Sequence, residues 1–351
     1  CRLVSDIFAK AGLLEYLIER ARLTGLALDK VGGSQQAFDN LYLPKLHRAG
    51  YVAPEYASGQ DDLEVPGGFV MESVPGLFSN VLVFDFKSLY PSIIRTFSID
   101  PLGLALAEQV PEERRVAGFF GAQFNPDVAI LPGIISELWQ ARDRAKAEGN
   151  AAFSQAIKIQ MNACYGVLGS KVCRFFDQRL SGAITLRGHE LLQRSAEFIE
   201  RTRGHRVIYG DTDSVFVWLG DDWQHEDTPA YGLQLATEVN RWLTDMLQTE
   251  YGVQSALELQ FESEFSRFLM PRMRHSDKGS KKRYAGLKRV GQGTELVFKG
   301  LESVRTDWTP AAREFQQALY QRVFHDQPWE EYVREYVASV YAGERDEALL
   351  Y

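Results

Sequence analysis

Four apolar residues, Val81–Phe84, run without a polar break into Asp85, and a run that lacks alternation marks a strand covered on both faces. Asp85 is therefore expected at the end of a buried strand. Val207-Ile-Tyr209 and Val215-Phe-Val-Trp-Leu219 are two further apolar strands, joined by Gly210-Asp-Thr-Asp-Ser214, a composition suited to a tight hairpin with a polar tip. Helical spacing covers about Ile7 to Thr24, Pro132 to Gly149, Ala151 to Gly169, Leu180 to Arg201 and Pro229 to Glu250, with terminal helices starting near Pro310 and Trp329. The Gly149-Asn150 break predicts an antiparallel helix pair. Ile184, Leu191, Leu192 and Ile199 form a stripe that predicts a helix lying on a sheet, and Leu257 to Met270 is strand-like. Gly32-Gly33, Pro54, Gly59 and Pro66-Gly67-Gly68 punctuate a stretch that reads as a linker or lead-in. No internal repeat is visible.

With 351 residues, 45% hydrophobic and 12% aromatic, the chain can bury the cores of two or three folded units. Gly and Pro together reach 29 + 13 = 42 residues, ordinary globular usage that excludes collagen-like or low-complexity chains. No apolar run approaches the ~20 residues of a membrane span. Cys1, Cys164 and Cys173 are odd in number and lack CxxC spacing, which argues against a disulfide framework or a structural zinc and for a reducing, cytosolic setting. Net charge is 39 − 47 = −8, which disfavours a nucleic-acid binder until its distribution is considered. Between Arg272 and Arg305 stand ten Lys or Arg against three acids, a local +7 within a remainder of −15. Either a polyanion docks there or the segment is a solvated loop.

Transfer of a nucleotide onto a sugar hydroxyl requires the attacking oxygen to lose a proton while negative charge builds on the leaving pyrophosphate. Two divalent ions about 3.5–4 Å apart serve both needs, and carboxylates from rigid elements are their natural ligands. Asp85 at a strand end, with Asp211 and Asp213 at a hairpin tip, meets that requirement. Each acid alone also fits a turn former bonding its own backbone. Lys158, Asn162 and Tyr165 share one helical stripe beside an apolar stripe of Ile157, Met161, Cys164 and Leu168, as in any amphipathic helix.

Asp85-Phe-Lys-Ser-Leu-Tyr-Pro-Ser-Ile-Ile94 and Tyr209-Gly-Asp-Thr-Asp-Ser214 resemble the two metal-binding motifs of family B DNA polymerases, in the same order along the chain. Lys158-Ile-Gln-Met-Asn162-Ala-Cys-Tyr165-Gly166 resembles that family's fingers motif. The resemblance spans nearly the whole chain and is nearest to bacterial members. It implies an α+β fold with the polymerase right-hand arrangement: a palm with an antiparallel sheet and packed helices, a two-helix fingers insertion and a partial helical thumb. The corresponding division is a lead-in and palm-associated segment over 1–77, palm over 78–103 and 173–271, fingers over 104–172, and partial thumb over 272–351.

Carried over residue by residue, the resemblance makes Asp85, Asp211 and Asp213 the catalytic acids. Asp85 and Asp213 would ligate two Mg²⁺, for which Mn²⁺ could substitute, with the Phe86 carbonyl assisting and Glu262 as a further carboxylate. Gln260 departs from the Glu usual in relatives, which puts that further role in doubt. Ser88, Leu89, Tyr90, Arg142, Lys146, Lys158 and Asn162 would bind the nucleotide. The Tyr90 ring would exclude a 2′-hydroxyl, although a tyrosine there could equally be packed beneath the motif without touching substrate. Tyr165, Gly166, Lys281, Lys282, Arg283 and Tyr284 would contact DNA. The implied partners are primer-template DNA, dNTP and, in a longer protein, a sliding clamp, with a bacterial cytoplasmic, nucleoid-associated location. The chain reads as a piece of a longer polymerase, without the acidic motifs of a proofreading exonuclease. The rival expectations are a truncated fragment that binds DNA with weak or no catalysis, and another two-metal palm enzyme such as a nucleotide cyclase or an RNA-directed polymerase.

Overall fold

The computed structural model describes residues 2–30, 32–55, 65–224, 227–273 and 276–350. In chain order the helices and strands are α1 (Arg2–Lys10), α2 (Leu13–Thr24), α3 (Ser34–Arg48), β1 (Gly76–Phe86), α4 (Leu89–Thr96), α5 (Pro101–Ala105), β2 (Val116–Ala117), β3 (Gln123–Phe124), α6 (Leu131–Ala147) and α7 (Ala151–Leu168). They continue with α8 (Gln178–Arg203), β4 (Arg206–Asp211), β5 (Ser214–Trp218), α9 (Thr228–Tyr251), β6 (Leu259–Met270), β7 (Tyr284–Val290), β8 (Gly293–Lys299), α10 (Pro310–Phe324) and α11 (Glu330–Tyr341). The result is a mixed helix and sheet protein. Among the described residues no helix is long and apolar enough to cross a membrane, and Cys164 and Cys173 are buried and free.

The chain divides into two compact units. One comprises Cys1–Phe69, Lys87–Leu191 and Arg241–Glu258. Here α6 and α7 pack on each other, as the Gly149-Asn150 break predicts, and α7 also packs on α2 and α3. Asn150 caps α7 by accepting the Phe153 N–H at 2.9 Å. The buried carboxylate of Asp100 joins separate elements: it accepts N–H bonds from Gly103 at 2.8 Å, Ile130 at 3.0 Å and Leu131 at 2.7 Å, and the Tyr42 hydroxyl donates to it. Burial pushes the Asp100 carboxyl above its usual range, against the pull of those donors.

Two sequence expectations are corrected in this unit. The helix predicted from Ile7 to Thr24 is two helices, because Gly12 takes a left-handed conformation at φ 60° and ends α1 before α2 begins. The stretch read as a lead-in contains α3, whose Phe38, Tyr42 and Leu46 recur every four residues and are buried. Pro44 inside α3 and the glycines before it concealed that period. Cys1 and Gly59 lie outside the described residues.

The second unit comprises Val70–Phe86, Leu192–Asn240 and Leu259–Tyr351. Its centre is a six-stranded sheet in the order β4-β5-β1-β6-β7-β8, antiparallel at every pairing. β1 is interior, with β5 on one side and β6 on the other, so Val81–Phe84 are at most 4% exposed and need no alternation. An aromatic cluster of Phe78, Tyr209, Phe216, Phe265 and Phe268 packs on one face of the sheet. Truncating a fully buried ring such as Phe268 costs about 3–5 kcal/mol. β7 and β8 form a hairpin inside the basic segment, paired from Tyr284 with Lys299 to Val290 with Gly293.

Candidate active site

The register of β1 fixes Asp85 opposite Ser214 on β5 and Gln260 on β6. β4 and β5 are closed by Thr212 and Asp213, with Asp211 paired to Ser214. Thr212 adopts φ 59°, which a β-branched residue rarely does, and the surrounding turn holds it there. The Asp213 N–H bonds the Asp211 carbonyl at 2.6 Å. The Phe86 N–H bonds the Asp213 carbonyl at 2.7 Å, which ties the strand end to the hairpin tip.

These elements open a cleft of about 570 Å³ lined by Asp85, Asp211, Asp213, Glu262, Lys282, Tyr284 and Lys299. Burial, then the charges of Asp211 and Glu262, push the Asp213 carboxyl above its usual range, and Lys282 opposes them. The same cleft pushes the Tyr284 hydroxyl up to about 12, chiefly through burial and then through Glu262 and Asp211. Excess negative charge that resists ionisation is what a bound cation would relieve.

Among the described residues no three His, Cys, Asp or Glu side chains form a ready-made metal cage. The donors facing the cleft are carboxylate oxygens, which suit Mg²⁺. That ion takes one or two carboxylates and fills its shell with water and substrate phosphate. The residues present therefore fit a divalent ion completed by substrate.

The basic segment meets this cleft through Lys282 and Tyr284. The Lys282 ammonium lies 3.4 Å from Asp211 Oδ1. Arg283 instead pairs with Glu302, and Lys281 is exposed. Lys299 and Tyr209 are among the cleft residues that sequence reasoning assigned no site role. Lys299 enters because the β7–β8 register sets it beside Tyr284. Tyr209 looked like the apolar lead to an acid motif, yet its hydroxyl donates to Asp211 Oδ2 at 3.3 Å.

The other expected residues belong to the helical unit. On α7, Ile157, Met161, Cys164 and Leu168 are buried and Lys158 and Asn162 are exposed, as their spacing predicts, but Tyr165 of the polar stripe is half-buried, and Gly166 after it is exposed. The Tyr90 and Tyr165 rings meet at 4.6 Å between centroids, tilted by 48°. Ser88 takes φ 48° before α4, and Leu89 is buried. On α6, Arg142 is half-buried with its Nε lacking a hydrogen-bond partner, and Lys146 is exposed. Trp139, one turn before Arg142, lies under the Lys87 ammonium at 5.5 Å and the Arg95 guanidinium at 5.2 Å.

The family model of DNA polymerase family B matches residues 29–348. The chain is 51% identical over 352 residues to DNA polymerase II of Escherichia coli (strain K12), covering all of this chain and 45% of that protein. It is 29% identical to the DNA polymerase alpha catalytic subunit of Trypanosoma brucei brucei, over 91% of this chain and 26% of that one. It is 27% identical to the DNA polymerase of Thermococcus gorgonarius, over 90% and 40%. The chain belongs to DNA polymerase family B. It spans less than half the length of these relatives.

Proposed function

We propose that this chain carries the DNA-synthesising site of a family B polymerase, which extends a primer 3′-hydroxyl with deoxynucleotides directed by a template. The observation that carries the reading is the cleft in which Asp85, Asp211, Asp213 and Glu262 gather with Lys282 and Tyr284. Asp85 and Asp213 would hold two Mg²⁺, with the Phe86 carbonyl assisting and Glu262 in a supporting place. When bound, such ions lower the pKa of the attacking hydroxyl and neutralise charge on the leaving phosphates.

In this reading residues 78–103 and 173–271 are the palm, 104–172, which include α6 and α7, are the fingers, and 272–351 are a partial thumb, after a lead-in and palm-associated segment over 1–77. Lys158 offers a point charge to the triphosphate on an exposed helical stripe, and Arg142 on α6 adds a forked donor whose Nε is still without a partner. Lys146 and Asn162 line the same path, beside Ser88 and Leu89 at the head of α4. The Tyr90 ring, held by Tyr165, leaves no room for a ribose 2′-hydroxyl. Lys281, Lys282, Arg283 and Tyr284 lie along the primer, with Tyr165 and Gly166 bordering the nascent pair. Their cations supply the backbone attraction that the acidic remainder of the chain lacks. None of these residues serves removal of a mispaired end. The partners are primer-template DNA and dNTP, with a sliding clamp in the longer protein and a bacterial cytoplasm as the setting.

Primer extension with Mg²⁺ at low salt tests the proposal. The unsubstituted chain adds dNTP in preference to NTP, and Asp213→Ala abolishes addition while retaining the fold by circular dichroism. Binding of primer-template without any addition would overturn synthesis, and full activity in Asp213→Ala would overturn the acid assignment.

A further inference from the structure

The basic stretch Lys281–Arg283 is restrained more heavily than a solvated run of cations requires. Lys282 takes φ 61°, a left-handed conformation unfavourable for lysine. A side chain at Gly300 would collide with the Lys282 carbonyl oxygen. The Ser280 hydroxyl donates to the Arg283 carbonyl at 2.8 Å, and the Ser73 hydroxyl donates to the Ser280 carbonyl at 3.0 Å. From the other side the Tyr209 hydroxyl accepts the Lys282 backbone N–H at 3.0 Å.

The same hydroxyl donates to Asp211 Oδ2 at 3.3 Å. Asp211 Oδ1 accepts from the Thr212 hydroxyl at 3.0 Å and faces the Lys282 ammonium at 3.4 Å. Asp211 and Lys282 are thus joined twice, once by their side chains and once through Tyr209. A tyrosine ring in an aromatic cluster needs only one partner for its hydroxyl. This one has two, one on each of the segments that carry the acids and the cations. Its ring is fixed by Phe216 at 5.2 Å and Tyr284 at 6.4 Å between centroids, so the hydroxyl cannot wander.

We propose that Tyr209 is a positioning residue: its hydroxyl sets the register between the acid-bearing turn Asp211–Asp213 and the primer-binding backbone at Lys282. Any shift of the basic stretch then moves the primer end relative to the acids. A displacement of about 1 Å in a reacting group is enough to cost two orders of magnitude in rate. The inference rests on the primer-binding reading of Lys281–Tyr284 given above, and it adds a residue whose hydroxyl acts through Asp211 and the Lys282 backbone.

Tyr209→Phe keeps the ring and removes the tie. The full chain is bound to a primer-template carrying 2-aminopurine at the primer 3′ end, without nucleotide, and its affinity, terminal fluorescence and thermal melt are measured. Extension is then followed from paired and mispaired ends. Affinity stays within about twofold, because the phosphate-binding cations remain, and the terminal fluorescence rises as the end loosens. With a paired end kcat falls about tenfold at a dNTP KM within about twofold, the scale of one lost hydrogen bond to a charged group. Extension from a mispaired end falls less, so the preference for paired ends narrows. Gly300→Ala disturbs Lys282 from the opposite side without touching Tyr209 and gives the same pattern. Equal losses from paired and mispaired ends with unchanged fluorescence, in both variants, would overturn the inference. If the unsubstituted chain binds DNA but adds nothing, synthesis is overturned, while the fluorescence comparison still decides the role of Tyr209.

Discussion

The backbone N–H of Phe86 bonds the carbonyl oxygen of Asp213 at 2.7 Å, so the residue after one acid is tied to the other acid. Asp85 and Asp213 are thereby held through main chain, which no rotamer change can undo. Their carboxylates are left to respond to ligands.

Replacing Asp213 by Asn is expected to separate stability from activity. A carboxyl held above its ordinary range in the fold contributes stability that is full below the unfolded value and is lost as pH rises through the folded value. At neutral pH its charge is therefore a liability in the metal-free protein. The melting temperature of Asp213→Asn rises above that of the unsubstituted chain, and primer extension disappears. Mg²⁺ raises the melting temperature of the unsubstituted chain more than that of the variant.

Lys158→Ala removes a single charge from the exposed stripe of α7. The expected result is a rise in dNTP KM of about tenfold or more, the scale of one charged hydrogen bond. Primer-template affinity should not change. Steady-state kinetics over a dNTP titration checks this, and an unchanged KM would separate Lys158 from the triphosphate.

Tyr90→Ala opens the space now filled by a ring resting on Tyr165. Discrimination against ribonucleotides is expected to fall by about tenfold or more, read from the ratio of kcat/KM for matched dNTP and NTP. Retained selectivity would leave Tyr90 as a packing residue.

Asp100→Ala strands the N–H groups of Gly103, Ile130 and Leu131 and the Tyr42 hydroxyl in a dry interior. A loss of at least about 3 kcal/mol follows from several donors left unsatisfied together. Urea unfolding of the two proteins measures it.

His205 sits against Trp223 and Tyr231, its Nε2 2.6 Å from the Tyr231 hydroxyl. Burial, then the charge of Arg203, lowers its pKa below 6.5. A lowered imidazole contributes stability that is full above about pH 6.5 and is lost as pH falls through the folded value. Between pH 8 and pH 5 the unsubstituted chain should lose more stability than His205→Gln, measured by urea midpoints.

Much of this was legible in the chain because its signals are local. Val81–Phe84 read as a strand covered on both faces, and β1 does lie inside the sheet. The hairpin at Asp211–Asp213 and the pair α6 and α7 were announced by turn residues. α3 was hidden because Pro44 and two glycines outweigh a clear four-residue period in any local reading. Glu262 and Lys282 reach the cleft of Asp85 only through sheet register, which spacing alone does not reveal. The tie of Tyr209 to Lys282 spans 73 positions and involves a backbone N–H, so no side-chain motif could signal it.

The place of β1 inside the sheet has a consequence for biogenesis. Asp85 finds its neighbours at Ser214 and Gln260, 129 and 175 positions further on. A ribosome adding about 5–20 residues per second leaves this apolar strand unpaired for many seconds, with both edges open. Non-local pairing of this kind is slow and exposed to aggregation. Synthesis of this chain should therefore depend on chaperones that shield nascent strands, and its soluble yield should fall steeply when they are depleted.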